Sequence, residues 1–87
     1  MTAEEQRLLE DLRGLAFANR VEFTDHARER IWERNLSETE VVDALAVSTH
    51  LRLRSDGRLR VTASDADGEE LLVIAVIQEG CLVITVY

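Results

Sequence analysis

Three acidic–glycine pairs, Asp56-Gly57, Asp67-Gly68 and Glu79-Gly80, cut the C-terminal half of the chain into four short β-prone runs. Glycine at each step supplies the positive φ that a tight turn needs. In the first run Leu51 and Leu53 alternate with Arg52 and Arg54, and in the second Leu59, Val61 and Ala63 alternate with Arg58, Arg60 and Thr62. A period of two marks half-buried strands. Leu71–Ile77 is apolar on both faces, as a central strand is, and Leu82-Val83-Ile84-Thr85-Val86-Tyr87 is a β-branched final strand. Four strands joined by three tight turns predict an antiparallel meander.

The half before Ser48 has helical spacing instead. Thr2-x-x-Glu5 is a capping box, followed by Leu8, Leu9, Leu12, Leu15 and Ala16 on one face, which predicts an amphipathic helix ending near Phe17. Val21-Glu22-Phe23 is extended in character, and Thr24 then offers an N-cap for a helix from about Asp25 to Arg34 with Ala27 and Ile31 buried. Asn35 suits a left-handed cap, and Ser37-x-x-Glu40 opens a third helix carrying Val41, Val42, Ala44 and Leu45. The last two helices are expected to pack as a hairpin. The expected fold is a single α+β domain over residues 1–87, with a helical part at 1–47 lying on one face of a four-stranded antiparallel meander at 48–87.

Charge narrows the partners. The 87 residues carry a net charge of −7, and all ten bases are arginine. An acidic body is repelled at long range by nucleic acid and by anionic membrane. The distribution is uneven, however: residues 48–62 hold Arg52, Arg54, Arg58 and Arg60 against Asp56 alone, while residues 63–87 hold five acids and no base. A local positive patch on an acidic body is therefore expected. Cys81 is the single cysteine, so no internal disulfide forms. No apolar run approaches the ~20 residues of a membrane span, and the chain opens on an acidic helix pattern instead of a basic leader, so a cytoplasmic location without membrane contact is expected.

The candidate site residues fall into two groups. On the second helix His26, Arg30 and Arg34 stack at successive i, i+4 positions, a ridge of potential cations that is mildly unfavourable unless carboxylates or a bound anion offset it. His26 is a candidate acid or base, Arg30 and Arg34 a bidentate clamp for phosphate or carboxylate, and Tyr87 a phenol that reaches the same place. The ordinary alternatives are a surface histidine, a solvated helix face paired with Glu29 and Glu33, and a strand-end aromatic used for packing. Arg28 and Trp32 are also four apart and are read as a helix edge folded over the core. In the second group Arg52, Arg54, Arg58 and Arg60 share the face opposite the helices. Val83, Thr85 and Tyr87 are expected to join them on a polar, cationic platform, with Leu82, Ile84 and Val86 turned inward. Charge that merely guards an edge strand is the competing explanation for the arginines.

Other motifs fail on inspection. His26, His50 and Cys81 lack zinc-ligand spacing, and Asp65-x-Asp67-Gly68 is a hairpin sequence with too few ligands for a calcium loop, so no metal or cofactor is expected. A helix-turn-helix reading fails because the third helix carries Glu38, Glu40 and Asp43 and no base.

The run Phe23-Thr24-x-His26-Ala27-x-x-Arg30-x-x-x-Arg34-Asn35-Leu36-Ser37, with Glu40-Val41 and a closing Val83-Ile84-Thr85-Val86-Tyr87, resembles a small prokaryotic domain family of unknown function over residues 21–87. In that family the position of Asn35 is often glycine. The family is similar in fold to the RelE/ParE plasmid-toxin superfamily, whose helices pack on an antiparallel sheet, a likeness of architecture and not of catalytic residues. Joined to the cationic ridge of the second helix, the likeness leads to the expectation of a metal-independent ribonuclease or toxin-like protein acting on RNA, with His26 as acid or base, Arg30 and Arg34 on the phosphate, and Thr85 and Tyr87 lining the pocket. One alternative is a non-catalytic interaction module, a homodimer or the partner of another protein, working through the open sheet face or an edge strand; another is a structural ridge that ties the helix to the sheet and to the C-terminal carboxylate.

Overall fold

The computed structural model describes residues 1–87. Helix α1 (Ala3–Phe17) starts at a complete capping box, in which Thr2 Oγ1 accepts the Glu5 N–H at 3.1 Å and Glu5 Oε1 accepts the Thr2 N–H at 2.8 Å. Its buried residues Leu9, Leu12 and Ala16 follow the predicted stripe. Helix α2 (Asp25–Glu33) is capped by Thr24, whose hydroxyl accepts the Ala27 N–H, and ends as Asn35 takes φ 56°. Helix α3 (Glu38–Ala46) starts at the second capping box, Ser37 with Glu40. The expected α2–α3 hairpin does not form: α3 packs chiefly on α1, and α2 lies along the last strand. Asn35 turns the chain away from α2, and the stripe of α3 finds its apolar partners on α1 instead.

The sheet has five strands, not four, and is mixed, not purely antiparallel. Its strands are β1 (Val21–Phe23), β2 (His50–Leu53), β3 (Leu59–Ser64), β4 (Glu70–Ile77) and β5 (Cys81–Val86), in the spatial order β1-β5-β4-β3-β2. β2 to β5 form the predicted meander. The added strand is the Val21-Glu22-Phe23 segment, which pairs in parallel with β5 through Cys81 N–H to Arg20 O and Thr24 N–H to Val83 O, both at 3.0 Å. Three residues give too short an alternation to announce a strand. What holds this one is pairing with β5 and burial of Phe23 in the core.

Gly57 and Gly68 take φ of 84° and 82° as the turns require, but at the third turn Glu79 carries the left-handed conformation (φ 59°) and Gly80 does not. Gly80 serves close approach instead, since a Cβ there would sit 3.3 Å from Arg20 O. The Arg20 guanidinium in turn donates to Glu79 O.

One apolar cluster unites all three helices with one side of the sheet: Leu9, Leu12, Leu45, Leu51, Val61, Val73, Val83 and Val86 are all at or below 1% exposure. Cys81 belongs to it, and burial pushes its thiol up to about 11, which makes it an inert core residue. No helix is long and apolar enough to cross a membrane.

Candidate functional site

A register shift between Ile74 and Ala75 decides what the helix-free face presents. Ala75 pairs with Val83 but Ile74 pairs with Thr85, leaving Ile84 as the extra residue of a β-bulge. The alternation along β5 therefore changes phase in mid-strand. Cys81, Val83 and Val86 point into the core, while Leu82, Thr85 and Tyr87 take the other face. Val83 thus does not join the arginines as its parity predicts, and Leu82 is not inward. Thr85 and Tyr87 do share the arginine face, because the bulge restores their phase.

That face is also less polar than the expected cationic platform. Its central positions are Leu72, Ile74, Val76 and Leu82, which are half-buried except for Ile74, buried to 4% exposure although no helix lies over it. Long arginine side chains are suited to such cover, laying their methylene stems over apolar surface while the guanidinium stays in water. One row across the sheet reads Arg52, Arg60, Ile74, Thr85, and the next reads His50, Thr62, Leu72, Tyr87, the last two joined by Tyr87 N–H to Leu72 O at 2.8 Å.

Arg52 and Arg60 stand directly opposite each other, and neither has a carboxylate within ion-pair distance. Like charges in that position are destabilising, by roughly 0.2–1 kcal/mol by analogy with other cross-strand pairs. Together with Arg54, Leu72, Ile74 and Tyr87 they line one shallow depression of ≈ 440 Å³. Arg54 is partly neutralised by Asp56 at 3.2 Å. Arg58 belongs to the β2–β3 turn and does not line the depression.

The helix ridge reaches the same corner from the far side of Tyr87. α2 runs beside the second half of β5: the Thr24 hydroxyl donates to Ile84 O at 2.8 Å, and Arg30 Nε donates to Val86 O at 3.3 Å. The Arg30 guanidinium then lies 5.8 Å from the centre of the Tyr87 ring, a cation–π contact, and Glu33 approaches it at 3.6 Å. Tyr87 therefore stands between Arg30 on one side and Arg52, Arg54 and Arg60 on the other. His26 is exposed one helical turn before Arg30, about 6 Å along the axis, and its side chain bonds to nothing in the protein. Arg34 caps α2 one turn beyond Arg30 and has no ion pair.

Thr85 shares the row of Arg52, Arg60 and Ile74 but, against expectation, does not line the depression. It is 8% exposed, and its hydroxyl is the one buried side-chain oxygen or nitrogen without a hydrogen-bond partner. A buried donor left unmade costs about 1–3 kcal/mol.

The Arg28–Trp32 pair is different from its expected form. Arg28 binds Asp25 and Glu38, and Trp32 is 79% exposed, so this helix edge does not fold over the core. Asp65 Oδ1 accepts the N–H groups of Asp67 and Glu69, which is turn chemistry. Two contributors went unread in the sequence: the Leu72/Ile74 floor, legible only as the second apolar face of β4, and His50, which shares strand parity with Arg52. His50 is three strands from Tyr87, about 14 Å, and extends the face without entering the Tyr87 corner.

A family model described as a domain of unknown function, DUF4258, matches residues 23–87. The chain belongs to that family. The match takes in α2, α3, the meander and every residue of the arginine–tyrosine corner, and leaves α1 and most of β1 outside. Neither a curated protein nor a solved structure matches the chain significantly.

Proposed function

We propose that this DUF4258 domain binds single-stranded RNA across its helix-free face and cleaves it without a metal ion, as a RelE/ParE-like, toxin-type ribonuclease. The observation that carries the reading is the Arg52–Arg60 cross-strand pair, unneutralised and set over an apolar floor beside Tyr87. A phosphate bridging the two guanidinium groups converts their repulsion into two charge-assisted hydrogen-bonding partners. The exposed Tyr87 ring offers a base a stacking surface, which is how sequence-tolerant single-strand binders add affinity to backbone contacts. The acidic body restrains binding elsewhere, so affinity concentrates on this corner.

In the reaction, Arg30 holds the scissile phosphate and stabilises the charge that develops on its non-bridging oxygens. His26 accepts the proton of the adjacent 2′-hydroxyl as that oxygen bonds to phosphorus. The P–O5′ bond breaks, the leaving oxygen takes a proton from water, and the products are a 2′,3′-cyclic phosphate and a 5′-hydroxyl. Arg34 extends the contact along the strand.

The test is cleavage of a labelled single-stranded RNA at low salt with a chelator present, by wild type, His26→Ala and Arg30→Ala, each checked for folding by circular dichroism. Loss of about 100-fold or more in the folded variants supports the reading, in line with removal of an acid–base group or a charge stabiliser. An inactive wild type that still binds RNA removes the catalytic half. The second reading, a non-catalytic interaction module, draws on the net charge of −7 and on Phe17 and Trp32, exposed at 89% and 79%. A wild type that neither cleaves nor binds RNA moves the assignment there.

A further inference from the structure

The two edges of the sheet are finished differently. At β2 the outward Leu51 N–H meets Met1 Sδ at 3.3 Å and the outward Leu53 N–H donates to Glu5 Oε2 at 2.9 Å, so the start of α1 closes that edge. At β1 no such cover exists. Arg20 O and Thr24 N–H both face β5, and the alternation of a parallel strand therefore turns Glu22 toward β5 and the N–H and C=O groups of Val21 and Phe23 outward. No turn, loop or cap hydrogen bond reaches either residue.

Beside this edge, on the helix side, lies a groove of ≈ 540 Å³. Its floor is Phe23, Val21 and Val42, and Phe17 stands at its rim with 89% of its surface exposed. The wall supplied by α3 carries Glu38 and Asp43, and no basic residue lines the groove. Glu38 is engaged by Arg28 at 3.6 Å, whereas Asp43 has no ion-pair partner. A strand edge next to a helix-walled groove with an apolar floor and a polar rim is the arrangement that captures extended peptides: main-chain bonds give affinity, and every second side chain enters the groove.

We propose that the outer edge of β1 and the α1–α3 groove take up an extended, basic segment of a partner protein as a sixth strand. Side chains of one parity enter the groove, the apolar ones against Phe17 and Val42 and an arginine or lysine of the same parity against Asp43. Charge selects a partner over a second copy of this chain. A second copy carries the same net charge of −7, and its β1 segment offers no free base, since the neighbouring Arg20 is already held by Glu79 O. The site lies at the sheet edge, apart from the arginine corner, and does not depend on the RNA reading.

The test uses a capped peptide whose groove-facing parity carries both valine and arginine with threonine between them (Val-Thr-Arg-Thr-Val), followed by NMR amide shifts and calorimetry, beside the same peptide N-methylated at alternate residues. The methylated form keeps the charge and removes the ladder donors. Binding is expected with shifts centred on Val21, Phe23 and Asp43, weakened about 10-fold or more by N-methylation, which removes the main-chain donors of the ladder. Asp43→Asn, an exposed position on α3, is expected to weaken the unmethylated peptide several-fold while leaving RNA binding unchanged. Equal binding of both peptides, shifts confined to other surfaces, or no binding at millimolar peptide overturns the proposal. A concentration-dependent dimer whose dissociation shifts the β1 edge also overturns it and assigns the groove to a second copy.

Discussion

On the covered side of the sheet Leu51, Val61, Val73 and Val86 form a row in which no side chain is more than trace exposed; one position along, on the other side, the row is Arg52, Arg60, Ile74 and Thr85. The first row follows a single rule, that β-branched and aliphatic side chains leave water together. The second breaks three: two like charges face each other, an isoleucine is buried without a helix over it, and a buried hydroxyl has no partner. The proposed RNA reading attributes this difference to a ligand met by the second row.

Substitutions that separate the two rows give the sharpest test of that difference. Leu51→Ala is expected to lower the unfolding free energy by about 2–5 kcal/mol in denaturant titrations, through lost burial and the cavity left behind. The adjacent Arg52→Ala should change stability by less than ~0.5 kcal/mol, and toward greater stability, because it relieves the Arg60 repulsion. Comparable losses from the two would erase the distinction. In RNA binding the order inverts: Arg52→Ala and Arg60→Ala are each expected to weaken affinity about 10-fold and to flatten the slope of log K against log salt by about 0.7 for each phosphate no longer neutralised.

A smaller effect of more diagnostic sign is expected at Thr85. Thr85→Val removes the unpartnered hydroxyl at nearly constant shape, so thermal unfolding should show a gain of about 1 kcal/mol with RNA binding unchanged. A loss of stability would place that hydroxyl in the fold after all. The smallest effect concerns the β2 edge. Backbone N–H bonds from Thr2 and Leu53 hold the Glu5 carboxyl below the usual carboxylate range. A folded pKa below the unfolded one means a contribution fully present above the unfolded value near 4.3 and lost as pH falls through the folded value. Glu5→Gln should therefore lower Tm at neutral pH, and the gap from wild type should close in acid.

The helices were legible because their ends carry their own chemistry: Thr2/Glu5, Thr24 and Ser37/Glu40 all cap as written, and Asn35 takes the left-handed turn. The meander was legible from period two and the acidic–glycine steps. β1 was not, because three residues derive their strand character from β5. The phase of β5 was not, because a bulge has no signature in Val83-Ile84-Thr85, and misreading it moves Val83 and Leu82 to the wrong faces. At the site, Arg30, Tyr87, Thr85 and the strand arginines were each visible as residues. Their convergence was not, because it depends on α2 running beside β5 and on the Arg52–Arg60 register, both long-range facts.

The most direct test of the RNA face is an NMR titration of the ¹⁵N-labelled protein with a short single-stranded RNA at low salt. The amides of Arg52, Arg60, Thr85 and Tyr87, with those of α2 around Arg30, should shift together, while α1 and α3 stay still. No shifts, or shifts gathered on α1 and α3, would contradict the assignment of the helix-free face to RNA.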